Sequence, residues 1–228
     1  MMELNYQIVR SPKRKKLTIT VERDRAIVVH APQETPEETV RRIVDDKRQW
    51  LLAKLHHPQK YQERPHPPGK EVVNGESVPY LGRNYRIEIA ETRSGEVEFS
   101  SFFIVPTSHQ GKRREVLRDW YIARAKEKIL SRVEQHARDL GVEFAAAKIV
   151  DNRYRWGSCT VKNNVNFNWR LIKAPMFVID YVIVHELAHL IETNHTSRFW
   201  NIVRANAPTM EKAKTWLKDH GQVLEEEV

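Results

Sequence analysis

The stretch that decides the reading is Tyr181-Val182-Ile183-Val184-His185-Glu186-Leu187-Ala188-His189-Leu190-Ile191. Pro175 stands ahead of it, where a helix can begin without a backbone N–H. The segment is strongly apolar, so the predicted helix is largely buried. His185 and His189 are four residues apart, which puts both on one helix face, about 6 Å apart along the axis. Two imidazoles so placed can share a tetrahedral ion. Glu186 is offset by one position, where a carboxylate reaches a water activated by the ion rather than the ion itself. Burying two histidines and a glutamate among Val, Ile, Leu and Ala costs on the order of several kcal/mol unless something compensates them. A metal ion does so directly.

A catalytic zinc takes three protein ligands and leaves its fourth position to water. Three residues qualify as the third ligand. Glu192 shares the histidine face, but its α-carbon lies about 7–8 Å along the axis from the midpoint of the pair. That suits a supporting partner of His189 better than a ligand. Glu211 sits in a predicted downstream helix, where some zinc peptidases place a glutamate ligand. His195 follows His189 by six residues, where Asn194 and Thr196 predict the helix end. H-E-x-x-H, five residues and a histidine is the three-histidine spacing of metzincins, with Glu192 standing where they carry glycine. The spacing favours His195.

Composition narrows the remaining classes. The 228 residues are 40% hydrophobic and 30% charged, as in globular proteins with a real core. No apolar run is long enough to cross a bilayer, so no membrane partner is expected. The N-terminal MMELNYQIVRSPKRKK lacks the apolar stretch of a secretory signal. Cys159 is the only cysteine, so a cytoplasmic location is expected. A net charge of +8 leaves room for nucleic acid or nucleotide as partner. The charge is spread along the chain, however, and the one dense run is Lys13-Arg14-Lys15-Lys16; a solvated basic surface is the simpler account.

Periodicity sets the organisation. Residues 17–32 alternate as two strands around Glu22–Arg25. Thr35-Pro36-Glu37-Glu38 starts a helix running to about His56, with Thr35 as cap. The proline-rich stretch 57–69 reads as a linker. Short strands follow at Glu71–Val73, Ser77–Leu81, Tyr85–Ile89, Val97–Phe99 and Phe102–Val105, with a hairpin turn at Asn74-Gly75. A long helix spans about Gly111–Leu140 and stops at Gly141. Strands are predicted at Lys148–Val150 and Val161–Trp169, and the motif helix runs to about Thr193-Asn194. Further helices follow Thr196 and cover Thr209–His220, ending at Gly221. The predicted fold is α+β, with a β-rich N-terminal region over 1–107 and a catalytic domain over 108–228.

Two further motifs flank the helix. Arg155-Trp156-Gly157-Ser158-Cys159 and Asn166-Phe167-Asn168-Trp169-Arg170 read as a tight turn at Gly157 feeding a strand. That strand is expected to edge the cleft and pair with an extended substrate, which makes Trp156, Gly157, Ser158, Asn166 and Asn168 candidate substrate contacts. Cys159 reads as a small packed residue rather than a ligand. Phe199-Trp200 is expected to anchor its helix to the core.

Together these motifs resemble the YgjP-like metallopeptidases. RWGSC at Arg155–Cys159, NFNWRL at Asn166–Leu171, YVIVHELAHL at Tyr181–Leu190 and NHTSRFW at Asn194–Trp200 carry the likeness. RQW at Arg48–Trp50 and VPYLGRNYRIEI at Val78–Ile89 extend it over nearly the whole chain. The resemblance implies a zincin-like catalytic domain holding one Zn2+ per chain on His185, His189 and His195, with Glu186 as base. It implies a peptide or protein substrate. A more distant similarity to the SprT and WLM proteases points to proteins bound to DNA. Nucleotide hydrolysis is the competing activity, although the sequence has no GxxxxGK[ST] loop and no carboxylate cluster for magnesium.

Overall fold

The computed structural model of the protein describes residues 4–21, 25–56, 72–92, 94–152 and 155–225. The linker predicted at 57–69 lies outside them, as do residues 22–24 of the predicted turn. The chain divides into two compact units, Met1–Pro67 and Pro68–Val228.

In the first unit, strands β1 (Tyr6–Ser11), β2 (Thr18–Val21) and β3 (Ile27–Pro32) form a sheet in the order β1-β3-β2. The predicted hairpin is the antiparallel β2–β3 pair. β1, which sequence reasoning missed, joins β3 in parallel. Alternation along β3 buries Ile27, Val29 and Ala31. They cluster with Val40 and Val44 of α1 (Glu37–Asp46) and Leu51 of α2 (Arg48–Leu55). The single helix predicted here is broken at Lys47, whose φ of −94° and ψ of 8° leave the helical region. Pro36 takes the N-cap position with no side-chain cap, so Thr35 does not serve as one.

The second unit is α+β. A four-stranded sheet, β4 (Ser77–Tyr80), β5 (Arg83–Ala90), β6 (Glu98–Phe99) and β7 (Phe103–Pro106), has the order β4-β5-β7-β6. The long helix α3 (Arg113–Leu140) ends on Gly141 at φ 66°, the left-handed stop that glycine supplies. A second sheet, β8 (Ala146–Val150), β9 (Gly157–Cys159) and β10 (Asn164–Asn168), has the order β8-β10-β9, with β9 at the edge. The strand predicted at 161–169 starts only at Asn164, because Asn163 is left-handed at φ 56° and turns the chain. A 3-10 segment, Trp169–Lys173, leads into α4 (Met176–Ala188), followed by α5 (Ser197–Asn206) and α6 (Met210–Glu225). α6 runs through Gly221, which is buried and faces Trp156 rather than ending the helix.

The boundary expected at 107/108 falls inside this second unit, and the contacts explain why. The β4–β5 hairpin is closed by Leu81-Gly82, both left-handed at φ 48° and 81°, a two-residue hairpin turn. Asn74-Gly75 forms a turn of its own, with the Gly75 N–H donated to the Ile87 carbonyl. Leu81 N–H donates to the Ile172 carbonyl and Gly82 N–H to that of Lys173, both at 2.9 Å. A Cβ on Gly82 would lie 2.5 Å from Pro175 Cγ. The hairpin is therefore pinned to the segment that launches α4. Tyr80 and Phe103 pack edge-on against Trp120 of α3, and the buried Tyr121 hydroxyl donates to the Pro79 carbonyl at 2.8 Å. One core cluster spans both sheets and helices α3–α6. Among the described residues, no helix is long and apolar enough to cross a membrane.

Candidate metal centre

Helix α4 is buried along most of its length, from Val178 through Ala188. Its one acidic anchor is Asp180. Arg132 of α3 grips both its carboxylate oxygens, and His136 Nε2 lies 3.1 Å from Oδ1. This fixes the register of α4 against α3. The helix ends at Ala188, not at 193–194, and His189 is its C-cap. Leu190 and Ile191 N–H then bond to the carbonyls three residues back, tightening the last turn. That early turn carries the chain back on itself within six residues. Thr196 caps α5 by accepting the Phe199 N–H at 3.3 Å, so His195 is held between two fixed helix ends.

The result is a three-histidine cluster. One ring nitrogen each from His185, His189 and His195 lies within 4.8 Å of the others, the only such metal-ligand group among the described residues. The Nε2 atoms of His185 and His195 approach to 3.0 Å. His189 Nδ1 lies 3.3 Å from the Glu192 carbonyl, so it carries the proton and leaves Nε2 as the free donor. Burial, and then the neighbouring rings of His189 and His195, push His185 down to about 3. Burial also lowers His189, against the pull of the carbonyl. Both imidazoles are thus neutral, the form that binds a metal. Three imidazole nitrogens converging on one point, with no fourth protein group among the described residues, fit the donor set of a catalytic zinc.

Glu186 lies beside this cluster, 7% exposed, against the edge strand β9. Its carboxylate accepts the backbone N–H of Cys159. Burial raises it to about 7, although the Cys159 N–H and the charge of Arg155 pull the other way. A Cβ on Gly157 would lie 2.6 Å from Glu186 Cγ and 2.7 Å from Oε1. Gly157 is therefore the residue that lets the carboxylate reach the strand. On either side of β9, the Trp156 carbonyl accepts the Asn168 N–H and the Thr160 N–H donates to the Asn164 carbonyl, tying both ends of the strand to β10. The ladder then alternates so that Gly157 and Cys159 turn their N–H and C=O groups away from β10.

The other predicted site residues fall differently. Glu192 meets His189 through its main-chain carbonyl, while its carboxylate Oε1 accepts the Asn194 N–H at 3.3 Å. Glu211 is outside the cluster and its carboxylate meets Lys214 at 3.4 Å. Burial, then Glu186, push the Cys159 thiol up, which keeps it protonated. Asn168 is fully buried; its amide donates to the Asn152 and Arg155 carbonyls and its Oδ1 accepts the Arg170 N–H. Those bonds organise the loop and leave no contact for a substrate. Trp156 is likewise buried. Ser158 and Asn166 bond to each other at 3.3 Å, and strand alternation puts Ser158 on the face opposite Glu186. Gly157, of these five, is the one placed directly against Glu186 by its close approach to the side chain.

Phe199 and Trp200 carry more than the anchoring expected of them. The Phe199 ring lies 4.9, 4.6 and 4.7 Å from the rings of His185, His189 and His195. Trp200 stacks on His195 at 5.4 Å. The signal was present in the sequence: Phe199 is the third residue after a capping threonine, in the first helical turn, four residues from His195.

Solved structures similar to part of the chain include two metallopeptidase zymogens. Abylysin of Pyrococcus abyssi is 20% identical, with 44% of this chain and 99% of that chain covered and a TM-score of 0.37. Jannalysin of Methanocaldococcus jannaschii is 20% identical, with 40% and 95% covered and a TM-score of 0.36. No curated protein matches the chain. Residues 15–220 match the YgjP-like metallopeptidase domain, and the chain belongs to that family.

Proposed function

We propose that the protein is a zinc-dependent peptidase in which His185, His189 and His195 hold one zinc and Glu186 is the general base. The observation that carries this is the seat of Glu186: one buried carboxylate between three converging imidazoles and the open edge of a strand. A zinc ion held there would supply Lewis acidity, polarising a carbonyl and acidifying a water. Glu186 takes the proton of the attacking water and returns it to the departing amine. Burial raises its pKa in the ion-free chain, which offsets the lowering that a neighbouring cation would impose on a group that must both accept and release a proton. The Cys159 N–H orients the carboxylate and keeps it from swinging out of the cleft.

The backbone of Gly157, turned outward from β10, supports a peptide bound in extended form as an added strand. Substrate contact is thus assigned to main-chain groups of β9, not to the side chains of Ser158, Asn166 or Asn168. The test is cleavage of a peptide library beside a nucleotide panel, with zinc present, removed by chelator and restored. Zinc-dependent peptide cleavage is expected. Turnover of nucleotides alone would overturn the peptidase reading.

A further inference from the structure

We propose that Phe199 is a positioning residue for the metal ligands: a single phenyl ring against which all three imidazoles are set. The inference rests on the zinc-site reading above. Phe199 is fully buried, and its ring centroid lies within 5 Å of each histidine ring. It meets His185 and His195 edge-on, at 76° and 72°, and His189 closer to parallel, at 31°.

The need for such a platform follows from what the histidines lack. A ligating imidazole is ordinarily aimed by a hydrogen bond from its other nitrogen. His185 Nδ1 is buried and has no hydrogen-bond partner among the described residues. His189 is bonded to main-chain groups at the helix end: Glu192, at 3.3 Å to its carbonyl, and Thr193. Packing therefore sets the orientation of His185 and shares in that of the other two rings, and the Phe199 ring lies against all three. Its own position is fixed independently, since its N–H is held by the Thr196 cap one residue from His195. Trp200, stacked on His195 at 5.4 Å and 5.8 Å from the His185 ring, adds a second wall for those two rings. A planar ring in a fixed rotamer holds these angles, whereas a branched aliphatic side chain of similar volume fills the space without defining them.

The experiment compares zinc affinity in the wild type, Phe199→Leu and Val203→Ala, by competition with a chromophoric chelator. Val203 is fully buried in the same helix and belongs to no ring cluster, so its truncation reports loss of core packing alone. Phe199→Met, whose flexible chain refills the space, is the second variant should the leucine form not fold; thermal melting of the apo proteins ranks their stabilities. Loss of affinity of about 10–100-fold is expected for the Phe199 variants, the range of supporting contacts at metal sites. The cobalt-substituted Phe199 variants are expected to show an altered d–d spectrum, reporting changed ligand geometry. Val203→Ala should keep both readouts near wild type. Equal loss in Phe199 and Val203 variants would reduce Phe199 to a core residue, and wild-type affinity and spectrum in Phe199→Leu would remove the role entirely. A wild type that takes up no zinc would overturn the site and this inference together.

Discussion

Gly157 and Glu186 occupy adjoining space so closely that a methyl group on the glycine would stand 2.6 Å from the glutamate Cγ. Gly157→Ala is therefore expected to displace the Glu186 carboxylate while leaving the histidines untouched. A misplacement of about 1 Å at a reacting group can cost about 100-fold in rate. Peptide turnover should fall on that scale with zinc content unchanged. Adding Glu186→Asp, which shortens the side chain, should recover part of the loss. Parallel assays of kcat and zinc on the wild type and both variants check this, and an unaffected Gly157→Ala enzyme would refute the steric account.

Glu186→Gln keeps shape and hydrogen bonding but accepts no proton. It should fold, retain zinc and lose at least about 100-fold in turnover. Turnover and elemental analysis on one sample make the check. Loss of zinc instead would indicate that the carboxylate holds the site together.

For the ligands, zinc should be absent from the His185→Ala, His189→Ala double variant and severely reduced in His195→Ala. Glu192→Ala is expected to keep its zinc, because the contact to His189 comes from the main chain. Metal stoichiometry after dialysis reads all three. Depletion in Glu192→Ala or Glu211→Ala with retention in His195→Ala would reassign the third ligand.

Asp180 gives a pH-dependent stability. Burial raises its pKa, but hydrogen bonds from His136 and Arg132 and the Arg132 charge outweigh that and leave it lowered. A carboxylate depressed in the folded state stabilises fully above its unfolded pKa, about 4, and loses that contribution as pH falls through the folded value. Asp180→Asn should thus cost about 2 kcal/mol at neutral pH, as for charged hydrogen bonds. The difference from wild type should close in acid. Denaturant melts at neutral and acid pH measure it; a gap that persists in acid would show that charge is not the cause.

Much of the centre was legible because it is local. His185, Glu186, His189 and His195 fall within eleven residues, and helical spacing alone aligns the first pair. What was not legible depends on distant partners. β1 pairs in parallel with β3 across an intervening strand, which no short-range pattern encodes. β9 is three residues long, too short for alternation to register. Asn168 reads as a cleft residue in the sequence, but its side chain is committed to three hydrogen bonds with main-chain groups. Gly221 carried the signature of a helix stop, but packing beside Trp156 keeps it inside α6.

The eleven-residue span of the ligands has a consequence for how the molecule becomes competent. Closing so short a loop costs little chain entropy, so the imidazoles assemble once the corner between α4 and α5 forms. The partner of Glu186, by contrast, lies on a strand almost thirty residues upstream and requires the β8-β10-β9 sheet to be in place. Under the proposed zinc chemistry, metal loading and hydrolytic competence are therefore separable events. A molecule with its corner folded and its edge strand undocked is then expected to take up metal without hydrolysing peptide.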